Sequence, residues 1–275
     1  MASQGGSKPK AADLPSPWRS LSAIRERGPL VHNMTNAVAM DLAANLLLAV
    51  GASPAMVQAR EEVQDFVPLT DALTINVGTL SAAGAEAMAV AAREALAQGK
   101  PWVLDPVGIG ASRFRGETVA RLCGLRPSVI RGNASEILTL GSREQRIAGS
   151  IDATAAPEEA LDAARDLAAE TGAVVAVTGA IDYITDGARI LAVDNGDPMM
   201  TRVTAMGCAL TCLIGACCAV ESDAMTAAAH GLAIMGVAGE LAAVGAEGPG
   251  SFRQRFVDRL YGLDEATLDE RARIG

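Results

Sequence analysis

The sequence predicts a layered α/β domain with a mostly parallel sheet, and three observations carry that prediction. Short β-branched runs alternate with longer Ala/Leu-rich runs, the pattern of βα units. Half of the 275 residues are apolar but only eight are aromatic, so the core is aliphatic, which suits close helix–sheet packing. Each candidate strand ends in a polar or glycine-bearing segment, the edge at which open α/β sheets bind ligands.

Residues 1–16 are polar and rich in Ser, Gly, Lys and Pro; they read as a disordered lead-in without the apolar stretch of a signal peptide. Residues 17–275 read as a single domain, with no linker and no internal repeat. Candidate strands are 29–33, 72–77, 102–105, 128–131 and 173–178, and between them 37–50, 82–98, 116–123, 135–140 and 157–171 have helical composition. Asp186-Gly187, flanked by 183–185 and 189–193, signals a hairpin. From Cys208 to about Gly262 the chain reads as entirely helical, and its apolar stretches are too short or too interrupted for a membrane span.

A net charge of −9 with little Lys argues against nucleic acid as a partner, though it leaves room for a small anion held by a few arginines and backbone amides. Four of the five cysteines lie between Cys208 and Cys218, without disulfide-framework spacing or a CxxC pair; they read as reduced thiols of a cytoplasmic protein. With only His32 and His230, a His-rich zinc site is excluded. GxSxG, GxxxxGK[ST] and GxGxxG are all absent, so hydrolase, P-loop and dinucleotide readings lose their anchors.

The chemistry gathers at six segments. Ala205-Met206-Gly207-Cys208 opens an apolar helix, whose unpaired amides and dipole suit a phosphate oxygen. Cys208 in that first turn reads equally as a base or nucleophile of lowered pKa and as one more small core residue. Asp105, before Pro106, reads either as a carboxylate for Mg²⁺ or as an Asx turn at a strand end. Arg131 suits a polyphosphate. Glu136 suits either the metal beside Asp105 or a capping box with Asn133. Thr178 offers a hydroxyl at a strand end, and the stretches around Asn36 and Met56 set polar groups beside methionines.

Taken together, PLVHNMTN, GASPAM, INVGTL, WVLDPVG, IRGNASEI, VTG-x-x-DYITDG, GCAL and EGPGSF resemble the hydroxyethylthiazole kinases of the ribokinase-like superfamily, from about Pro29 to Phe252. The resemblance implies a three-layer αβα fold and Mg²⁺-dependent transfer of the ATP γ-phosphoryl group to 4-methyl-5-(2-hydroxyethyl)thiazole, in thiamine salvage. It also implies a homotrimer with sites at subunit interfaces. By the same resemblance Arg131, Thr178, Asp105 and Glu136 are ATP-binding positions, the two acids also lying near the metal. Met56, Ala205 and Asn36 fall at substrate contacts, Met206, Gly207 and Cys208 at the anion hole, and Cys208 where most ribokinase-like enzymes carry an aspartate base. The family usually reads Gly-[Thr/Ser]-Gly-Cys there; this chain has Ala205-Met206, and a side chain at 205 restricts positive φ. Two other readings remain at this point: a cysteine-dependent hydrolase or acyltransferase with His32 or His230 as base, and a weakened nucleotide-binding relative.

Overall fold

The computed structural model describes residues 14–142 and 155–275. Its elements run α1 (Trp18–Arg27), β1 (Leu30–Met34), α2 (Met40–Ala49), β2 (Ser53–Ala55), α3 (Arg60–Phe66), β3 (Ala72–Asn76), α4 (Ala82–Ala97), β4 (Trp102–Asp105), α5 (Arg113–Cys123), β5 (Val129–Asn133) and α6 (Ala134–Gly141). There follow α7 (Leu161–Thr171), β6 (Val174–Thr178), β7 (Asp182–Thr185), β8 (Ile190–Val193), α8 (Met206–Val220), α9 (Ala224–Ala243), α10 (Pro249–Gly262) and α11 (Glu265–Arg271). The strands form one sheet in the order β2-β1-β3-β4-β5-β6-β7-β8. Neighbours from β2 to β6 are parallel, and the Asp186-Gly187 hairpin adds β7 and β8 antiparallel.

Two hydrophobic clusters, one on each sheet face, make this a three-layer αβα fold. Val103, Val129, Val174 and Ala176 pack with α2, α8, α9 and α10 on one side. Their neighbours in sequence, Leu104, Ile130, Val175 and Val177, pack with α4 to α7 on the other. This period of two continues to the strand ends. Asn76, Asp105, Arg131 and Thr178 follow Thr74, Val103, Val129 and Ala176 on the α8 face, and Asn76 stands opposite Asp105 in register.

Several elements differ from the sequence reading for local reasons. β2 is three residues long with Pro54 at the sheet edge, where a missing N–H is tolerated, and so short a strand leaves little pattern. Helices α1 and α3 are rich in charge and were not expected. Helix α2 starts at Met40 rather than 37, because Asn36 Oδ1 accepts from the amides of Val38 and Ala39 and holds a turn there. Residues 14–16, assigned to the lead-in, touch the fold: Pro15 O meets His230 Nε2 at 2.9 Å, and Ser16 Oγ donates to Asp269. Residues 1–13 lie outside the described residues. Helix α9 is long and apolar enough to cross a membrane, contrary to the reading of short apolar stretches, but it is buried against α8 and α10 as a core helix.

Candidate active site

The first turn of α8 sits over the carboxyl ends of β3, β4 and β5. Helix α8 is apolar and almost wholly buried, and its N-cap, Ala205, has φ 67° and ψ 6°, the left-handed region. A non-glycine residue there costs about 1–2 kcal/mol, so the fold holds a conformation that the side chain disfavours. The bulky Met206 turns into the α8-side core and is 6% exposed. The main chain opens the helix with the amides of Met206, Gly207 and Cys208 lacking an intrahelical acceptor.

The space beside Gly207 is filled by the end of the Arg131 side chain. A Cβ at this position would stand 2.7 Å from Arg131 Nη1 and 2.9 Å from Nη2. The guanidinium is thus pressed on the helix N-terminus, pinned by Nη2 to Thr178 Oγ1 at 2.7 Å and paired by Nη1 with Asp105 Oδ2 at 3.7 Å. Arg131 Nε is buried without a partner, an unspent donor. Thr178 Oγ1 in turn donates to Gly132 O at 3.3 Å.

Asp105 is fully buried. Its Oδ2 accepts from Asn76 Nδ2 at 2.7 Å and from Thr211 Oγ1 at 2.8 Å, while Oδ1 has no partner. Burial pushes its carboxyl up to about 7; Arg131, Thr211 and Asn76 oppose the rise, and the Glu136 charge adds to it. With Oδ2 taken by Asn76 and Thr211 and Oδ1 unpartnered, the carboxylate closes no Asx turn at the strand end. Glu136 forms the capping box with Asn133, and each carboxylate oxygen already accepts one backbone amide, from Gly108 and Asn133, both at 2.9 Å. Among the described residues no group of three or more His, Cys, Asp or Glu side chains is placed to hold a metal ion.

Cys208 is half-buried, the most accessible of the five free thiols. Its Sγ accepts from Asn36 Nδ2 at 3.2 Å. The lowered pKa expected for a cysteine in a first helical turn is not what the fold produces. Burial, then the Asp105 charge, raises the thiol, outweighing Arg131 and the Asn36 and Asn76 amides. The hydrolase reading also loses its base. His32 Nε2 faces Val57 O at 2.8 Å with its ring edge on Phe66, and His230 lies between Ser20 Oγ and Pro15 O. Neither imidazole is hydrogen-bonded to Cys208.

Met56, just beyond β2, is half-buried against the α8-side core at the same end of the sheet. A cavity of about 550 Å³ opens beside Asn76, lined also by Thr35, Met40, Gln58, Thr79 and Met88. Asn36, Met56, Ala205 and Cys208 are not among its lining residues.

Four residues of the site were not singled out from sequence. Asn76 was noted only as part of a strand end. Thr211 is the single hydroxyl in the apolar run 209–220, a signal that spacing from Cys208 would have supplied. Arg115 gives Nη1 to Val77 O and Val107 O and Nη2 to Gly78 O, tying the loops after β3 and β4 together. Asp182 accepts from Gly179 N at 2.9 Å and faces Arg131, and burial pushes its carboxyl up to about 6.

A family model described as the hydroxyethylthiazole kinase family matches residues 21–266. A hydroxyethylthiazole kinase from Rhizobium leguminosarum bv. trifolii (strain WSM2304) is 51% identical over 260 residues, 94% of this chain and 97% of that protein. The solved hydroxyethylthiazole kinase protein of Pyrococcus horikoshii OT3 superposes with a TM-score of 0.88 at 40% identity, covering 94% of this chain and 98% of its own. A ribokinase-like superfamily protein of Enterococcus faecalis V583, at 13% identity and a TM-score of 0.60, covers 94% of this chain and 91% of its own and shares the fold alone.

Proposed function

The chain belongs to the hydroxyethylthiazole kinase family, and from that premise we propose that it phosphorylates the primary alcohol of 4-methyl-5-(2-hydroxyethyl)thiazole with ATP, yielding the thiazole phosphate and ADP in thiamine salvage. The observation that carries this reading is the meeting of Arg131, Asp105 and Cys208 at the α8 N-terminus. The acceptor oxygen attacks the γ-phosphorus, the bond to the β–γ bridging oxygen breaks, and ADP leaves. Charge grows on the transferring oxygens, so catalysis rests on positioned donors more than on a strong base. The amides of Met206, Gly207 and Cys208 and the guanidinium of Arg131 are those donors. Thr178 holds Arg131 in place. Cys208, a raised and protonated thiol at neutral pH, orients the attacking hydroxyl; the alcohol's proton leaves with the phosphate oxygens. Asn36, Met56 and Ala205 bound the acceptor.

Mg²⁺ would rest on Asp105, whose buried Oδ1 is unpartnered, with Glu136 as an outer contact, since its oxygens already hold backbone amides. Such an ion would supply neutralisation of the phosphate charge. Membership of this family is what supports a homotrimer with sites at subunit interfaces. Free cysteines accord with a cytoplasmic enzyme. The test is purified protein with Mg-ATP and the hydroxyethylthiazole, following ADP and the phosphorylated product. ATP binding with no product would return the weakened-relative reading.

A further inference from the structure

Asn76 stands at the centre of a hydrogen-bonded path with one self-consistent direction. Its Oδ1 accepts from the Gly78 amide and from Asn36 Nδ2, both at 2.9 Å, and its Nδ2 donates to Asp105 Oδ2 at 2.7 Å. Asn36 Oδ1 is taken by the amides of Val38 and Ala39, each at 3.1 Å. Its two N–H groups are therefore left for Asn76 Oδ1 and, at 3.2 Å, Cys208 Sγ. Inverting either amide would set donor against donor at a backbone N–H, and both side chains are buried, 2% and 6% exposed, where water cannot repair the mismatch. The close fit has a second mark. A Cβ at Gly78 would fall 2.8 Å from both Cβ and Nδ2 of Asn36, so the glycine lets Asn36 lie flat on the turn that Asn76 closes.

We infer that Asn76 is a positioning residue for the phosphoryl transfer, holding the Asn36 amide as a fixed donor to the Cys208 sulfur and joining that donor to the Asp105–Thr211 pair. The inference rests on the proposed kinase reading, but the path itself exists without substrate. Asn76 does not touch the acceptor's reacting oxygen through this path; it acts on the sulfur mainly through Asn36, its own amide adding to the same effect. The sulfur then has one direction filled by a donor, which leaves its thiol proton free to point elsewhere. A misplacement on the order of 1 Å in such a group costs about 10²-fold in rate.

Asn76→Ser is the informative variant, because a serine hydroxyl accepts from the amide two residues on and so keeps the turn at Gly78, while it is too short to reach Asn36 and Asp105 together. Asn76→Ala serves as a second. With Mg-ATP and the hydroxyethylthiazole, kcat should fall about 10- to 100-fold with the KM for ATP changed by less than about 3-fold. In a Cys208→Ala background the same substitution should cost under about 3-fold, because the atom being positioned is gone. An equal cost in both backgrounds would mean that Asn76 acts through Asp105 or the fold rather than through Cys208, and would overturn the inference. A readout free of turnover is iodoacetamide alkylation of Cys208 followed by mass spectrometry, with the four other, buried thiols as internal references. Asn76→Ser should slow it by about 3-fold or more; a wild-type rate with the melting temperature unchanged would overturn the inference even if the protein proved to act on another acceptor.

Discussion

Cys208 and Cys212 stand one turn apart on α8 and occupy different chemistry. Cys212 is 1% exposed; its Sγ donates to Cys208 O at 3.4 Å and meets Thr74 Oγ1 at 3.8 Å, and burial pushes its thiol up to about 12. Cys208 is half-buried, takes an amide from Asn36 and shares its surroundings with Arg131 and Asp105. Residue type and helix are the same. What separates them is that the first turn projects past the strand ends, where polar side chains and free amides collect, whereas the next turn lies over the aliphatic middle of the sheet. Position along the helix relative to the sheet edge, not the cysteine itself, makes the site.

Truncating each cysteine in turn separates the two roles. Cys208→Ala should lower kcat by no more than about 10²–10⁴-fold, the range of general-base assistance, and leave turnover measurable; complete loss with the fold intact would show that the thiol is indispensable. Cys212→Ala should leave kcat within about 2-fold and instead cost about 1 kcal/mol of stability, read as a lower melting temperature.

Next in size is Gly207→Ala. Its new Cβ meets a guanidinium that Thr178 and Asp105 already hold, so Arg131 must leave its place. The expected result is a fall of about 10²-fold in kcat/KM for ATP, equivalent to about 2.7 kcal/mol, with unfolding hardly changed. A melting temperature that drops while kinetics hold would refute the contact as functional.

A smaller effect concerns pH. Asp182 is raised from an ordinary 3.8 to about 6 by burial. The folded state then keeps a proton over that interval that the unfolded state has lost, so this group's contribution to stability is present below 3.8 and fades as pH rises through about 6. Asp182→Asn keeps an acceptor for Gly179 N and removes the titration. Its melting temperature should fall less than the wild type's between pH 4 and 7, by about 2–4 °C for each kcal/mol involved; parallel profiles would count against the raised carboxyl.

The smallest is Ala205→Gly. Relief at positive φ should stabilise the protein by about 1 kcal/mol and leave the catalytic rate near its present value, because the backbone path into α8 is already that of a glycine. A large gain in rate would mean that the methyl group, rather than strain, constrains the acceptor.

Much of the fold was legible in the sequence because its signals are local. The five parallel strands read from β-branched runs lie within one or two residues of their places, and Asp186-Gly187 does close a hairpin. The segments ending in Asn76, Asp105, Arg131 and Thr178 were visible as strand ends, and together they suggested one ligand-binding edge. Sequence reasoning did not show that all four face α8, since that depends on parity within each strand and on register between strands, which no single segment carries. Thr211 and Asn76 went unrecognised for the same reason: their partners are 106 and 29 residues away. The expected low thiol pKa at Cys208 failed because a helix terminus was weighed without the desolvation and the buried Asp105 that tertiary packing sets beside it.

An aliphatic α/β protein, the order of its strands along the chain and the residue types at one edge are properties of local sequence, because periodicity, turn chemistry and composition act over a few residues. Only the tertiary structure decided that Arg131 lies on Gly207, that Ala205 accepts a left-handed backbone and that Asn76 links Cys208 to Asp105. Each of these is a contact between segments distant in sequence, formed when burial of the two hydrophobic faces fixes the register and leaves those polar groups one another as partners.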